Sequence, residues 1–174
     1  MKDLRYPIGK SALPEAIDDQ TIRQWIDTIE AFPEQLRASV EPLDEEQLDT
    51  PYRPGGWTLR QVVHHVVDSH INSYVRFKWV LTEDRPTIKA YDQDGWAALA
   101  DYEKTPVSVS LDLLENLHRR WVILLRSLDD PALDREFVHP DSGPSTLRKM
   151  VGLYAWHCQH HLAHVTTTVV REGW

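Results

Sequence analysis

The chain has 174 residues and a mass of 20.2 kDa, enough for one domain with a sizeable core and too little to demand two. With 27 acidic against 19 basic residues the formal charge is −8, which argues against sequence-independent binding to nucleic acid, since that needs clustered Lys and Arg. A single cysteine excludes an internal disulfide framework and a Cys-rich zinc module, and no apolar run approaches the roughly 20 residues that a bilayer span needs.

Prolines and glycines cut the chain into four long stretches with helical periodicity. The first is expected over about 19–40, with Ile22, Trp25, Ile26, Ile29 and Leu36 on one face, Asp18 or Asp19 as N-cap, and Pro33 as a kink or a break. The second starts at Thr58, where Gln61 completes a capping-box pattern and Trp57 and Val62 are spaced as a hydrophobic staple. It is expected to reach about Thr82, before Asp84-Arg85-Pro86, a rod of roughly 37 Å. A short helical piece near Gly95–Asp101 leads to the third, about 110–128, on the spacing of Leu113, Leu114, Leu117, Trp121, Leu124, Leu125 and Leu128. The turn-rich segment Phe137–Pro144 suits a small hairpin or an extended loop. Ser145 is the expected cap of the fourth helix, about 146–171. Four amphipathic helices must bury their stripes on one another, so an all-α four-helix bundle in one domain, residues 1–174, is expected. The long link between the second and third helices leaves open whether it runs strictly up and down.

Nine histidines are the unusual entry in the composition. His157, His160, His161 and His164 fall within eight residues of the fourth helix; His64, His65 and His70 lie on the second, and His118 stands alone on the third. For His118 an ordinary surface or satisfied core position is the plain reading. Imidazoles four residues apart share a helix face, with Cβ atoms about 5–6 Å apart, so His157 with His161, or His160 with His164, could converge on one cation. The apolar arc of the fourth helix is set by Leu147, Val151, Tyr154, Cys158, Leu162, Val165 and Val169. By that arc His157 and His161 are the better inward pair, His160 is turned outward, and His164 sits near the edge as a third ligand or a supporting group.

On the second helix Gln61, His65, Ser69, Asn72 and Arg76 form a polar stripe that suits a pocket inside a bundle better than a solvent face. His65 is the natural third ligand and His70, near the middle of the apolar arc, the runner-up; the bland alternative is a half-exposed His65 bonded to Ser69. Asp68 reads as a surface acid, with a supporting role to an imidazole as the lesser option. Three neutral imidazoles leave a cation at least one open position, the catalytic rather than structural pattern for zinc. Nitrogen ligation also suits nickel, copper or iron. Cys158 follows His157 where a metalloprotease H-E-x-x-H would place Glu, and it falls in the apolar arc as a buried small residue. No nucleophile elbow, phosphate loop or dinucleotide fingerprint is present.

The block Pro51-Tyr52-Arg53, Gly55-Gly56-Trp57-Thr58-Leu59-Arg60-Gln61-Val62-Val63-His64-His65, with Asp68-Ser69-His70, Asn72-Ser73-Tyr74, Arg76-Phe77-Lys78 and Tyr91-Asp92, resembles the YfiT branch of the DinB-like superfamily. So do Leu117-His118, Arg120-Trp121, His139-Pro140-Asp141, Gly152-Leu153-Tyr154, Trp156-His157 and His160-His161. The resemblance implies a four-helix bundle, commonly a homodimer, with one divalent metal on three histidines: the second of His64-His65, then H-x-x-x-H on the last helix, matching His157 and His161. Gln159 departs from a region often richer in histidine and leaves the ligands intact. The resemblance further implies a metal-dependent hydrolase, and the leading expectation is a small-molecule substrate attacked by water at the open coordination position. Relatives in the superfamily instead transfer low-molecular-weight thiols such as bacillithiol or mycothiol, and fold likeness does not choose between the two. A metal-binding module without turnover is the reading from another class. Arg53, Arg76 and Tyr154 are candidates to hold an anionic substrate. Residues 1–19 carry no apolar signal core, so a cytoplasmic location without nucleic-acid or membrane partners is expected.

Overall fold

The computed structural model describes residues 3–174. Helix α1 (Asp19–Val40) opens at Asp18, whose carboxylate accepts the Thr21 N–H at 2.7 Å. The helix runs through Pro33 unbroken. A proline has no N–H for the carbonyl four residues back, so Ile29 C=O loses its intrahelical donor, and the Nδ1–H of His118 takes the place at 2.7 Å.

A single-turn α2 (Glu45–Leu48) precedes α3 (Leu59–Thr82). The capping box of α3 is complete: Thr58 Oγ1 accepts the Gln61 N–H at 3.1 Å, and Gln61 Oε1 accepts the Thr58 N–H at 3.0 Å. Two short helices, α4 (Gln93–Ala97) and α5 (Ala100–Lys104), occupy the stretch where one piece was expected. Helix α6 (Val107–Arg126) begins three residues before the expected Ser110, directly after Pro106. Its first turn escaped the periodicity because Ser108 and Val109 are exposed and add nothing to the buried stripe.

After α7 (Asp130–Leu133), an antiparallel hairpin of β1 (Glu136–His139) and β2 (Gly143–Thr146) leads into α8 (Leu147–Glu172). Gly143 closes the hairpin at φ 79°, a left-handed conformation that glycine adopts without a Cβ penalty. The cap of α8 is Thr146 rather than Ser145. Thr146 Oγ1 accepts the Lys149 N–H at 3.3 Å, while Ser145 is paired with Phe137 in the hairpin.

Helix α1 packs on α6 and α8, and α3 packs on the same two, so α1 faces α3 across one diagonal of the bundle and α6 faces α8 across the other. The long link from α3 to α6 therefore joins neighbours. The crossings are made by the connections out of α1 and α6, which carry α2 and the α7–hairpin unit respectively. Phe32, Leu36, Phe77, Trp121, Leu125 and Cys158 are buried at the centre. Where α8 passes α1, a Cβ on Gly152 would lie 2.7 Å from the Trp25 ring and 2.9 Å from Leu13, so the missing side chain permits the close approach. Among the described residues no helix is long and apolar enough to cross a membrane.

Candidate metal centre

Helices α3 and α8 run side by side, and they bring His65, His157 and His161 together. One nitrogen from each ring lies within 4.8 Å of the others. His65 and His161 are buried and His157 is partly buried. A cation about 2.1 Å from three tetrahedrally placed nitrogens sets them about 3.4 Å apart, a separation that small side-chain rotations would reach. Nitrogen donors, their number and their convergence all fit a divalent transition metal with an open coordination position.

Nδ1 of each ring meets a protein partner. Nδ1 of His157 lies 3.1 Å from Nε2 of His70, Nδ1 of His161 lies 3.3 Å from Nδ1 of His164, and Nδ1 of His65 lies 3.4 Å from the Tyr91 hydroxyl. Ser69 Oγ stands 3.4 Å from Nε2 of His157 and 3.4 Å from the Tyr154 hydroxyl, which itself donates to the Ser69 carbonyl at 3.2 Å. A pocket of about 460 Å³ opens onto the three rings, walled by Arg5, Tyr6, Tyr52, Arg53, Trp57 and Trp156 among others. A larger cavity of about 640 Å³, beside Asp49, Arg60 and Lys104, contains no imidazole in its lining.

Burial sets the protonation states. Loss of hydration disfavours an imidazolium, and it holds His65 at about 4, with the neighbouring His164 and His160 adding to the effect. The same burial pushes His157 and His161 well below the usual histidine range, again with neighbouring histidines contributing. All three are neutral near pH 7, the form that binds a metal.

Residues 28–165 match the DinB superfamily. The chain is also 54% identical over its full length, and over the full length of the relative, to a Bacillus mycoides protein provisionally named as a metal-dependent hydrolase. A Bacillus cereus protein with the same provisional name is 55% identical over the whole of both chains. The chain belongs to the DinB superfamily. Among solved structures it is similar to YfiT from Bacillus subtilis, described as a probable metal-dependent hydrolase with an unusual four-helix bundle topology; the TM-score is 0.96 and the identity 49%, covering 98% of each chain. A second four-helix bundle protein, 21% identical with a TM-score of 0.58, covers 84% of this chain and 99% of its own, and shares the fold alone.

Within this DinB-superfamily bundle the remaining candidates sort clearly. His70 is fully buried between His118 and His157 and faces those rings. His118 is a satisfied core histidine. His164 backs His161 and stacks on Tyr52 at 4.0 Å between ring centroids. His65 is 3% exposed and its Nδ1 faces Tyr91, so the half-exposed alternative with a Ser69 bond is not adopted. Asp68 is half-buried and accepts the Tyr102 hydroxyl at 2.7 Å, so it is neither a free surface acid nor a support for an imidazole. Burial raises its pKa, ahead of the Tyr102 bond that lowers it.

His160 departs most from the apolar arc, by which it is expected to turn outward. It is buried at 7% exposure, stacked 4.4 Å from Trp156 and 5.9 Å from the Tyr6 ring. The segment before α1 covers that side of α8, with Trp156 Nε1–H donating to Gly9 C=O at 3.3 Å, and no periodicity within α8 could signal it. Of the three anion candidates only Arg53 lines the pocket. Arg76 donates to Lys89 C=O, and Tyr154 is engaged with Ser69. Arg5 and Tyr6 line the pocket without having been singled out in the sequence. Cys158 is fully buried, and burial drives its thiol pKa well up, so it is no nucleophile.

Proposed function

We propose that this protein is a metal-dependent hydrolase of small molecules, in which His65, His157 and His161 hold one divalent cation, zinc first among the metals this donor set suits. The observation that carries the reading is the convergence of three imidazole nitrogens from two helices in the lining of a pocket. When bound, such a cation lowers the pKa of a water ligand to about 7 and polarises a substrate oxygen or sulfur. The chain's own residues do the rest. His65, His157 and His161 fix the position of the charge. The aromatic walls formed by Tyr52, Trp57 and Trp156 exclude bulk water and offer flat faces to an apolar part of the substrate. Arg5 and Arg53 in the pocket lining, against the single carboxylate of Asp94, offer guanidiniums suited to a carboxylate or phosphate.

The test uses untagged protein stripped with a chelator and reloaded with zinc, nickel or manganese. One equivalent of zinc per chain, and zinc-dependent cleavage within a panel of anionic esters and amides, supports the assignment. Loss of an electrophile only when a small thiol is supplied would replace hydrolysis with thiol transfer at the same centre. Failure to bind any of the three metals would reject the centre itself.

A further inference from the structure

Resting on the metal-centre reading above, we propose that two chains of neutral imidazoles, each anchored on a backbone carbonyl, lock His157 and His161 in the tautomer that presents a bare Nε2 to the cation. His70, His118 and His164 are then positioning residues, acting through the two ligands on α8.

The direction of each chain follows from its anchor. A carbonyl only accepts, so the 2.7 Å contact between His118 and Ile29 requires the proton on His118 Nδ1. A neutral ring carries one N–H, so His118 Nε2 is bare and accepts the Nδ1–H of His70 at 2.7 Å. His70 Nε2 is bare in turn and accepts the Nδ1–H of His157 at 3.1 Å. The proton of His157 is thereby held on the side away from the centre. The second chain is shorter. Arg5 C=O accepts the Nε2–H of His164 at 3.2 Å, which leaves His164 Nδ1 to accept the Nδ1–H of His161 at 3.3 Å. Reversing any one ring would set two protons or two lone pairs face to face. His118 and His164 are each 2% exposed, so no water reaches in to relay a proton between the rings.

The surroundings hold these rings in place. His70 and His118 stack 4.9 Å apart at 21°, with Phe32 and Trp121 against them. The first anchor exists because Pro33 frees the Ile29 carbonyl, and helices α1, α6, α3 and α8 each contribute one group to that chain. Metal-bound histidines commonly donate their second N–H to a carboxylate, which adds negative charge. Imidazole partners fix the tautomer equally well and add none, so the full positive charge of the cation remains to act on an anionic or polarisable ligand.

The test reads tautomers and metal affinity rather than turnover. Long-range 1H–15N spectra of metal-free, 15N-labelled protein at pH 7.5 are expected to show His157 and His161 as neutral Nδ1–H tautomers. His70→Phe removes both the donor and the acceptor; zinc affinity, read by competition with a chelator, is expected to fall about 10–100-fold, with His157 becoming a tautomer mixture. His70→Gln keeps a donor for His118 and an acceptor for His157 and is expected to restore most of the affinity. An Nε2–H tautomer at His157 or His161 in the wild type overturns the proposal. So does a folded His70→Phe protein with wild-type affinity and tautomers. Should that variant fail to fold, the wild-type tautomers decide alone. A wild type that binds no zinc rejects the metal centre, and its spectra still judge the imidazole chains.

Discussion

Lowering the pH from 7 to 5 is expected to destabilise the metal-free protein severely. An unfolded histidine titrates near 6.5, whereas burial holds His65 and His118 at about 4 in the native state. Between those values the unfolded chain takes up protons that the native chain refuses. Stability is therefore full above about pH 6.5 and falls as the pH drops toward 4. At pH 5 each such ring costs about 2 kcal/mol, so this pair alone removes about 4 kcal/mol from a domain stability typically of about 5–15 kcal/mol. His160 and His164, also held at about 4 by burial, act in the same direction. The assay is urea unfolding followed by far-UV circular dichroism, in a chelator, at pH 8, 7, 6 and 5. Its midpoint is expected to stay level from pH 8 to 7 and then fall steeply. Zinc at a thousandfold excess over its dissociation constant adds about 4 kcal/mol at neutral pH, and progressively less in acid, where protons compete for the same nitrogens. A midpoint that does not move between pH 7 and pH 5 in the chelator would refute the assignment of these rings as buried and neutral.

Replacing His65 or His161 by Ala is expected to drop bound zinc from one equivalent toward none and to abolish the zinc-dependent rise in melting temperature; full occupancy in both variants, by elemental analysis, would discard the ligand set. Gly152→Ala forces a methyl group against the Trp25 ring at 2.7 Å and is expected to lower stability by about 1–3 kcal/mol, an effect that denaturant titration resolves and that an unchanged midpoint would contradict. Thr58→Ala deletes one half of the α3 capping box and is expected to cost about 1 kcal/mol with an unchanged denaturant slope; a loss below the error of the measurement would show that tertiary packing alone holds that helix end.

What could be read in the sequence was local. The Thr58–Gln61 box and the bounds of α1 and α3 depend on groups within one turn of one another and stand as expected; the four-residue spacing of His157 and His161 is of the same local kind, and the fold brings both rings beside His65. The odd polarity of the Gln61–Arg76 stripe pointed to an inward-facing His65, and His65 is buried beside the other two rings. The diagonal crossings were not, because side-chain periodicity says which face of a helix is buried and not which helix buries it. His160 shows the same limit: a wheel assumes one buried arc, whereas α8 is covered by neighbouring helices on one side and by residues 6 and 9 on another. Pro33 was visible as an irregularity in α1, but its consequence depended on a carbonyl four residues earlier finding a ring on a different helix. Ser145 failed as a cap because the hairpin claimed it first.

The leading peptide is as much a part of the centre as the helices are. Its Arg5 carbonyl steers the proton of His164, its Tyr6 ring lies against His160, and its Gly9 carbonyl ties down Trp156. A preparation trimmed to the start of α1 would keep the three proposed ligands and the bundle core, yet it would lose the carbonyl behind His164 and the ring against His160. Chemists who alter residues 5–9 would, on the proposed ligand set, be adjusting the surroundings of the centre while believing they had changed only packaging.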